Sequence, residues 1–352
     1  MDAEDVGAWI DARAAEREFS GVALVWRDGA PVFAHAAGLA HRGHGVPVRV
    51  GTRFAVASVT KLVTAITALR MVARAELDLH RPVMEVLPAG WRPRALTPEH
   101  TLHHVLSHTS GLGNYHDTES MTWDSFLSCW DRVPTYHARG PADMVPLFVD
   151  APATGPPGVR FDYQDVNFLL VGLMIEAVSG RRFADCASDE VLTPAGMTDT
   201  AFAQLDDEPA NLATGYMVTD GPPETWRSSI FSVPVGGMPD GGMITTVTDQ
   251  ARLLDALEAG SLLPAELHAA MTSPQGPWGE EVEQYGYGCE VIVRDGTVGV
   301  IGHAGMDPGV SSQVWRYRAS ATTTVVLSNY DQDSWPVSRL LADAYGLDEP
   351  RP

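Results

Sequence analysis

Lysine is almost absent from this chain of 352 residues: Lys61 is the only one, and the other 23 of the 24 basic residues are arginine. Arginine stays protonated in ordinary protein sites, whereas lysine can give up its proton. Elsewhere this chain uses arginine as its basic residue, so Lys61 is the one side-chain amine that can become neutral. This scarcity excludes a lysine-rich binding surface and marks Lys61 as a position where acid–base chemistry is expected.

Positive charge and cysteine are scarce as well. The formal net charge is −21, which argues against nucleic acid or an anionic membrane as a partner, because both require a basic face. The three cysteines, Cys129, Cys186 and Cys289, are odd in number and show no metal-ligand spacing, which favours reduced thiols. No apolar run is long enough to span a bilayer. The acidic N-terminal residues are unlike a secretory signal, so a cytoplasmic location is expected.

Lys61 lies three residues after a serine, in the run Ser58-Val59-Thr60-Lys61. Residues at this spacing share one face of a helix. A hydroxyl beside an amine that can release its proton is the minimum set for a serine nucleophile. Residues 62–72 are apolar nearly all round, which predicts a buried helix with Ser58 at its N-terminus. Free N–H groups and the helix dipole would favour an oxyanion there.

The run Phe54-Ala-Val-Ala-Ser-Val-Thr-Lys61, followed by a buried helix, resembles the penicillin-recognising serine hydrolases. The closest branch contains class C β-lactamases, D-alanyl-D-alanine carboxypeptidases, D-aminopeptidases, family VIII esterases and some acyltransferases. Residues 101–112 also match a family segment, "H-L-L-T-H-T-S-G-L". His104 and His108 within it are four apart, but without a third ligand in reach we predict no metal site, and no cofactor is implied.

Two further family motifs follow. The first is Tyr-x-Asn on a loop that enters a helix, and Tyr163 matches its tyrosine, with Asp165 where most relatives have an amide. A carboxylate there would lie close to Lys61 and favour the protonated amine. The second motif is Lys-Thr-Gly or His-x-Gly on an inner strand, which His303-Ala304-Gly305 matches. The glycine-rich residues 236–242 correspond to the rim of the family's pocket.

The resemblance and the residue pattern together predict an α/β fold. An antiparallel sheet flanked by helices would be formed by residues 1–80 and 238–352, with residues 81–237 as a mainly helical inserted lobe. Alternating β-branched residues and the Asp28-Gly29 and Asp295-Gly296 turns favour antiparallel hairpins. Within the last hundred residues we predict a strand from Tyr287 to Arg294, and before it a capped helix that starts near Thr248.

The resemblance implies an acyl-enzyme mechanism. Ser58 attacks an ester or amide carbonyl, and Lys61 and Tyr163 move its proton, with either as the general base. Asp165, His303 and Gly305 belong to the substrate side of the site. The backbone N–H groups of Ser58 and Met306 would form the oxyanion hole.

Hydrolysis of a small carboxylic ester is the first interpretation, because His303 replaces the lysine that holds the carboxylate of a β-lactam. The alternatives are an acyltransferase or amidase (D-aminopeptidase) using the same acyl-enzyme, and a penicillin-binding sensor without turnover. A small ester or amide is the only partner that the sequence indicates, and oligomeric state is left open.

Overall fold

The structure is a computed structural model that describes residues 3–116, 127–219, 225–276, 282–331 and 333–347. Its strands, in chain order, are β1 (Gly21–Arg27), β2 (Ala30–Ala37), β3 (Leu39–His41), β4 (Val46–Pro47), β5 (Phe54–Ala55), β6 (Tyr216–Thr219), β7 (Thr225–Ser228), β8 (Ile244–Thr245), β9 (Glu283–Tyr285), β10 (Glu290–Arg294), β11 (Thr297–Asp307), β12 (Val310–Tyr317) and β13 (Thr322–Ser328). Its α-helices are α1 (Ala3–Ala15), α2 (Thr60–Ala73), α3 (Val83–Val86), α4 (Leu102–Leu106), α5 (Val145–Phe148), α6 (Val166–Ser179), α7 (Phe183–Ala187), α8 (Val247–Glu258), α9 (Ala265–Met271) and α10 (Ser334–Tyr345).

Seven strands form one antiparallel sheet in the order β2-β1-β13-β12-β11-β10-β9. The Asp28-Gly29 and Asp295-Gly296 turns have positive φ at both residues, the geometry that two-residue hairpins require. The hairpins β1–β2 and β10–β11 are therefore set by the sequence itself. The prediction of an α/β fold with an antiparallel sheet flanked by helices is confirmed.

Both faces of the sheet are covered, and β1 shows how. Val22, Leu24 and Trp26 point into the larger hydrophobic core, whereas Ala23 and Val25 point into a smaller core. This is the two-residue alternation of a strand buried on both sides. Residues of α1 and α10 complete the smaller core, and residues of α2, α6 and α8 belong to the larger one.

Helix α2 runs through the larger core, and only three of its 14 residues are not fully buried. It packs against α6, whose central residues are also buried. The expectation of a buried helix after Ser58 thus agrees with the structure. Helices α3 to α7 lie between the two sequence segments that build the sheet, together with one small hairpin of β6 and β7. The exact lobe boundaries at 80/81 and 237/238 stay a prediction.

One element boundary differs from the sequence-based expectation, whereas the capped helix expected near Thr248 agrees with it. The strand expected from Tyr287 begins at Glu290, because Gly288 has a φ of 62° in a loop that crosses α2. A Cβ atom on Gly288 would lie 2.7 Å from the carbonyl oxygen of Lys61. Helix α8 begins one residue before Thr248, since the hydroxyl of Thr246 accepts a hydrogen bond from the backbone N–H of Asp249 at 3.2 Å.

Within the described ranges, none of the helices combines the length and the apolar character that crossing a bilayer requires.

Candidate active site

Ser58 lies on a tight turn between β5 and α2. The turn is a short 3-10 helix, Ala57–Val59, and Ala57 has a φ of 47°, in the left-handed region that residues with a side chain rarely adopt. Backbone strain of this kind persists only where the surrounding structure enforces it, and it is concentrated at functional sites. The turn presents Ser58 to a large cavity.

Strand β11 passes close behind this turn. A Cβ atom on Gly305 would lie 2.2 Å from the carbonyl oxygen of Val56 and 3.1 Å from the backbone nitrogen of Ser58. Glycine is therefore needed for the strand to approach the serine. Met306 follows on the same strand, and its side chain, 43% exposed, lines the cavity. Gly305, expected on the substrate side, and Met306, expected in the oxyanion hole, thus both lie on the strand that borders Ser58.

Lys61 is fully buried, and its ammonium group has three acceptors, one for each N–H. Nζ donates to Ser58 Oγ at 2.9 Å, to Asp165 Oδ1 at 2.6 Å and to the backbone oxygen of Asp240 at 2.9 Å. Burial acts to lower the pKa of Lys61, but the charge and hydrogen bond of Asp165, together with Tyr163 and Asp240, raise this pKa above its usual range. Lys61 is therefore a protonated amine with its donors directed at the serine and a carboxylate.

Tyr163 covers this group from one side. Its ring stacks on His108 with the centroids 4.2 Å apart, and Lys61 Nζ lies 5.0 Å from the ring centroid. The hydroxyl is buried and lies beside Lys61 and Ser58, whose hydrogen bonds act to lower its pKa. Burial raises the pKa of Tyr163 above its usual range, although nearby Lys61 acts in the opposite direction. The hydroxyl thus lies next to the Ser58–Lys61 pair.

Asp165 joins Lys61 to a histidine that the sequence analysis did not select. Its Oδ1 faces Lys61, and its Oδ2 accepts a hydrogen bond from His116 Nε2 at 3.0 Å. Burial would raise the pKa of Asp165, but the Lys61 ammonium and His116 lower it far below its usual range. The expectation that Asp165 lies close to Lys61 agrees with this geometry.

Two further carboxyl groups lie beside the catalytic group. Asp240 Oδ2 accepts a hydrogen bond from the Tyr115 hydroxyl at 3.0 Å, and burial together with the Asp165 charge raises the pKa of Asp240 to about 6. The same two causes raise the pKa of Asp307 to about 8. Both residues line the cavity. We call Ser58, Lys61, Tyr163, Asp165 and Asp240 the floor of the site.

Asn167 and His108 lie behind the floor. The Asn167 carbonyl oxygen accepts a hydrogen bond from Ser110 Oγ at 2.6 Å, and its amide nitrogen lies 3.1 Å from His108 Nδ1. Asn167 is fully buried and therefore holds the 108–110 loop against α6. His108 stacks on Tyr163, whereas His104 Nδ1 bonds to the Thr101 hydroxyl. The two histidines thus serve separate local contacts.

The structure places His303 away from the surface of the cavity. Its ring is 1% exposed, Nε2 lies 2.9 Å from the Tyr285 hydroxyl, and Nδ1 lies 3.0 Å from Glu290 Oε1. Burial, reinforced by the charge of Lys61, lowers the pKa of His303 to about 3, so the ring is neutral. Its centroid is 6.2 Å from that of Tyr163. His303 therefore packs behind Tyr163, and this geometry offers the substrate no direct contact with the imidazole.

The cavity in front of the floor has a volume of about 1070 Å³. No arginine or lysine occurs among the described residues that line it, whereas several carboxyl groups do. Tyr136, Ile230 and Phe231, 58%, 57% and 76% exposed, form an apolar stretch of its lining that we call the outer wall. The rim predicted from residues 236–242 agrees with the position of Gly236, Met238 and Gly241 in the lining.

Sequence reasoning missed Tyr115, His116, Asp240 and Asp307. Tyr115 and His116 lie three and four residues after the family segment that ends at Leu112, and Asp240 lies in the glycine-rich rim. Their proximity in sequence to known motifs was the available signal. Their charges and partners depend on contacts between distant segments, which a single sequence does not contain.

The chain is similar to known proteins over nearly its whole length. The family model described as Beta-lactamase matches residues 6–345. Esterase EstB of Burkholderia gladioli is 32% identical, and the match covers 98% of this chain and 96% of the esterase. A penicillin-binding protein from Bacillus halodurans with a solved structure is 32% identical, with a TM-score of 0.87 over 97% of this chain and 99% of that one.

A D-aminopeptidase from Cereibacter sphaeroides is also similar. It is 26% identical over 337 residues, which cover 94% of this chain. The match covers 61% of the D-aminopeptidase, so this chain spans about three fifths of that relative's length.

Proposed function

Since the chain belongs to the β-lactamase family, we propose that this serine hydrolase cleaves small carboxylic esters through an acyl-enzyme on Ser58. The observation that carries the proposal is the charge of the site. A serine hydroxyl hydrogen-bonded to Lys61 opens onto a cavity whose described lining contains carboxyl groups and no arginine or lysine. An uncharged ester suits this surface better than a β-lactam carboxylate, which needs a cationic partner. The 32% identity with an esterase supports the same choice.

The proposed chemistry uses the floor as one unit. Once the Lys61–Tyr163 pair has lost one proton to solvent, it accepts the Ser58 proton as Oγ forms a bond to the carbonyl carbon. The negative charge that develops on the carbonyl oxygen is held by the N–H groups of Ser58 and Met306. Collapse of this intermediate breaks the ester bond, and the alcohol leaves with the proton from the pair. Water then repeats the sequence on the acyl-enzyme and regenerates Ser58.

The supporting side chains have defined parts in this proposal. Asp165 fixes the Lys61 ammonium beside Ser58, and Gly305 lets β11 approach the serine. His303 contributes from behind, since its neutral ring packs against Tyr285 and lies near Tyr163. It supports the position of Tyr163 and, being neutral, adds no positive charge of its own to the site.

An amidase acting on amino-acid derivatives is the second candidate. Asp240 belongs to the floor and lines the cavity, and its carboxylate, which forms above a pKa of about 6, would attract the ammonium group of an amino-acid amide. The similarity to a D-aminopeptidase supports this alternative. Acyl transfer shares the acyl-enzyme, and the cavity volume of about 1070 Å³ leaves room for an acceptor other than water.

A substrate panel tests the proposal. Purified protein is assayed with p-nitrophenyl acetate and butyrate, with D- and L-amino-acid amides, and with nitrocefin, each with and without an added alcohol as acceptor. We expect the esters to have the highest kcat/KM and nitrocefin to be hydrolysed poorly. Efficient nitrocefin hydrolysis with negligible ester turnover would overturn the proposal. Stoichiometric acylation without turnover by any compound would instead indicate a sensor.

We also propose a cytoplasmic location and a small ester or amide as the partner. The three cysteines are buried free thiols, a state typical of reducing compartments. Cell fractionation with an antibody to the protein tests the location, and recovery in a secreted or envelope fraction would contradict it.

A further inference from the structure

Three consecutive side chains, Asn114, Tyr115 and His116, reach the site from one segment. Asn114 Oδ1 accepts a hydrogen bond from the backbone N–H of Val166 at 3.2 Å, at the start of α6. The Tyr115 hydroxyl donates to Asp240, and His116 Nε2 donates to Asp165 Oδ2 at 3.0 Å. The His116 side chain is 4% exposed. The segment is therefore attached to the acidic residues that surround Lys61.

The negative charge of Asp165 in the floor opposes loss of a proton from the Lys61–Tyr163 pair, and His116 in this segment contacts Asp165. A base must be able to release its proton, yet Asp165 lies 2.6 Å from Lys61 Nζ and holds the proton on the amine. The same negative charge disfavours the phenolate form of Tyr163. A second cation on Asp165 would weaken both effects, whichever of the two residues acts as the base.

We propose that His116 is a positioning residue whose imidazolium neutralises the second oxygen of Asp165 and thereby lets the Lys61–Tyr163 pair act as the base. With His116 protonated, loss of one proton from the pair takes the Lys61–Asp165–His116 group from a net charge of +1 to zero. With His116 neutral, the same step leaves a buried net charge of −1. Burying an unbalanced charge costs more free energy than reaching neutrality.

The surroundings of His116 favour its charged form. Among the described residues, the titratable groups that face it are Asp165, Asp240 and Asp307, with Tyr115 beside it in the chain and Lys61 beyond Asp165. Burial is the largest single effect and acts to lower the pKa of His116, but the hydrogen bond and charge of Asp165, together with the charges of Asp307 and Asp240, give a net rise. The imidazolium is therefore present below this raised pKa and is lost as the pH rises through it.

This inference rests on the proposed acyl-enzyme function, and a double-mutant cycle tests it. The variants are His116→Gln, Asp165→Asn and the double variant, because glutamine can still donate to Asp165 but carries no charge. We expect His116→Gln to move the acidic limb of the kcat/KM profile to higher pH by about one unit. In the Asp165→Asn background the same change should move the limb by less than about a third of that. Equal shifts in both backgrounds would overturn the proposal.

Two measurements separate a charge effect from damage to the fold. His103→Gln is the matched control, since His103 Nδ1 lies 2.8 Å from the Tyr287 hydroxyl and His103 is not among the residues lining the cavity. It should leave the pH profile unchanged. The second measurement is the NMR titration of the His116 ring, which needs no turnover. We expect its pKa to fall by about one unit in Asp165→Asn.

An unchanged His116 titration in Asp165→Asn would reject the ion pair even if ester hydrolysis is found. Conversely, the pKa of His116 could shift in Asp165→Asn although the protein hydrolyses no ester. That result would support the His116–Asp165 ion pair and reject the proposed function. A His116→Gln protein that does not fold is recognised by thermal unfolding, and the NMR comparison of wild type with Asp165→Asn then decides.

Discussion

The floor and the outer wall of the cavity are built on opposite principles. In the floor, Lys61 is fully buried and each of its ammonium hydrogens has an acceptor. In the outer wall, Ile230 and Phe231 are more than half exposed. Fixed charges in a buried setting hold geometry and proton positions, whereas exposed apolar groups gain free energy only when a ligand covers them. The floor should therefore control rate and pH dependence, and the wall should control the choice of substrate.

Within the floor, we expect the largest effect on rate from Ser58→Ala, which removes the oxygen atom that forms the acyl-enzyme. We expect ester turnover to fall by roughly 10⁵-fold or more, as for other nucleophile deletions. Mass spectrometry after incubation with a fluorophosphonate should locate the wild-type adduct on Ser58. Ser261→Ala, an exposed serine whose hydroxyl donates to the Ala256 carbonyl, is the control and should be labelled normally. An adduct on another residue would reject the assignment.

Lys61→Arg tests whether the floor needs an amine or only a positive charge. Arginine keeps the charge and the approximate reach but cannot become neutral, so a loss on the order of a thousandfold in kcat is expected. Circular dichroism and thermal unfolding establish that the variant is folded. Near-native kcat in a folded Lys61→Arg protein would show that catalysis does not need an amine that can lose its proton at this position.

Gly305→Ala tests the close approach of β11 to Ser58. The added methyl group would meet the Val56 carbonyl oxygen at 2.2 Å, so the strand or the turn must move. A displacement of about 1 Å at a reacting atom costs on the order of a hundredfold in rate, which is the expected loss in kcat/KM. Gly299→Ala on the same strand meets no atom within 4 Å and is the control. Equal activity of the two variants would contradict the proposed steric role.

Asp165→Asn changes the pH dependence of the floor. Asp165 raises the pKa of Lys61, so its removal should move the acidic limb of kcat/KM downward by about one pH unit. The direction is opposite to that expected for His116→Gln. Rates measured from pH 4 to 10 with an uncharged ester give the profile. An upward shift, or none, would mean that Asp165 does not govern the proton of the base.

Phe231→Ser addresses the outer wall and should have the smallest effect. Loss of an apolar contact lowers the preference for long acyl chains, by roughly three- to tenfold in the ratio of kcat/KM for p-nitrophenyl octanoate to that for acetate. Acetate turnover and the pH profile should stay near wild type. Val159→Ser, at another exposed apolar residue that does not line the cavity, is the control. A large loss of kcat/KM for p-nitrophenyl acetate would show that the outer wall also affects the catalytic step in the floor.

Much of this arrangement could be predicted from the sequence, because its determinants are local. The Ser58–Lys61 spacing fixes a shared helix face, and the Asp-Gly turns fix two hairpins. A loop that leads into an apolar helix places Tyr163 and Asp165 together. The position of His303 was harder to predict, since its burial depends on Tyr285 and Glu290, which contact it from neighbouring strands. His116 was missed because its role arises only from the contact with Asp165.

The pairing of β1 with β13 sets the order in which the protein can become active during synthesis. Ser328 donates to the carbonyl oxygen of Ser20 across a separation of 308 residues, and β11 supplies the strand behind Ser58. The ribosome makes the nucleophile early and its supporting strand late, at about 5–20 residues per second. For roughly ten seconds to a minute the nascent chain thus carries Ser58 without the strand that borders it. We therefore expect Ser58 of a nascent chain to react with an ester only after β11 has been made and has folded.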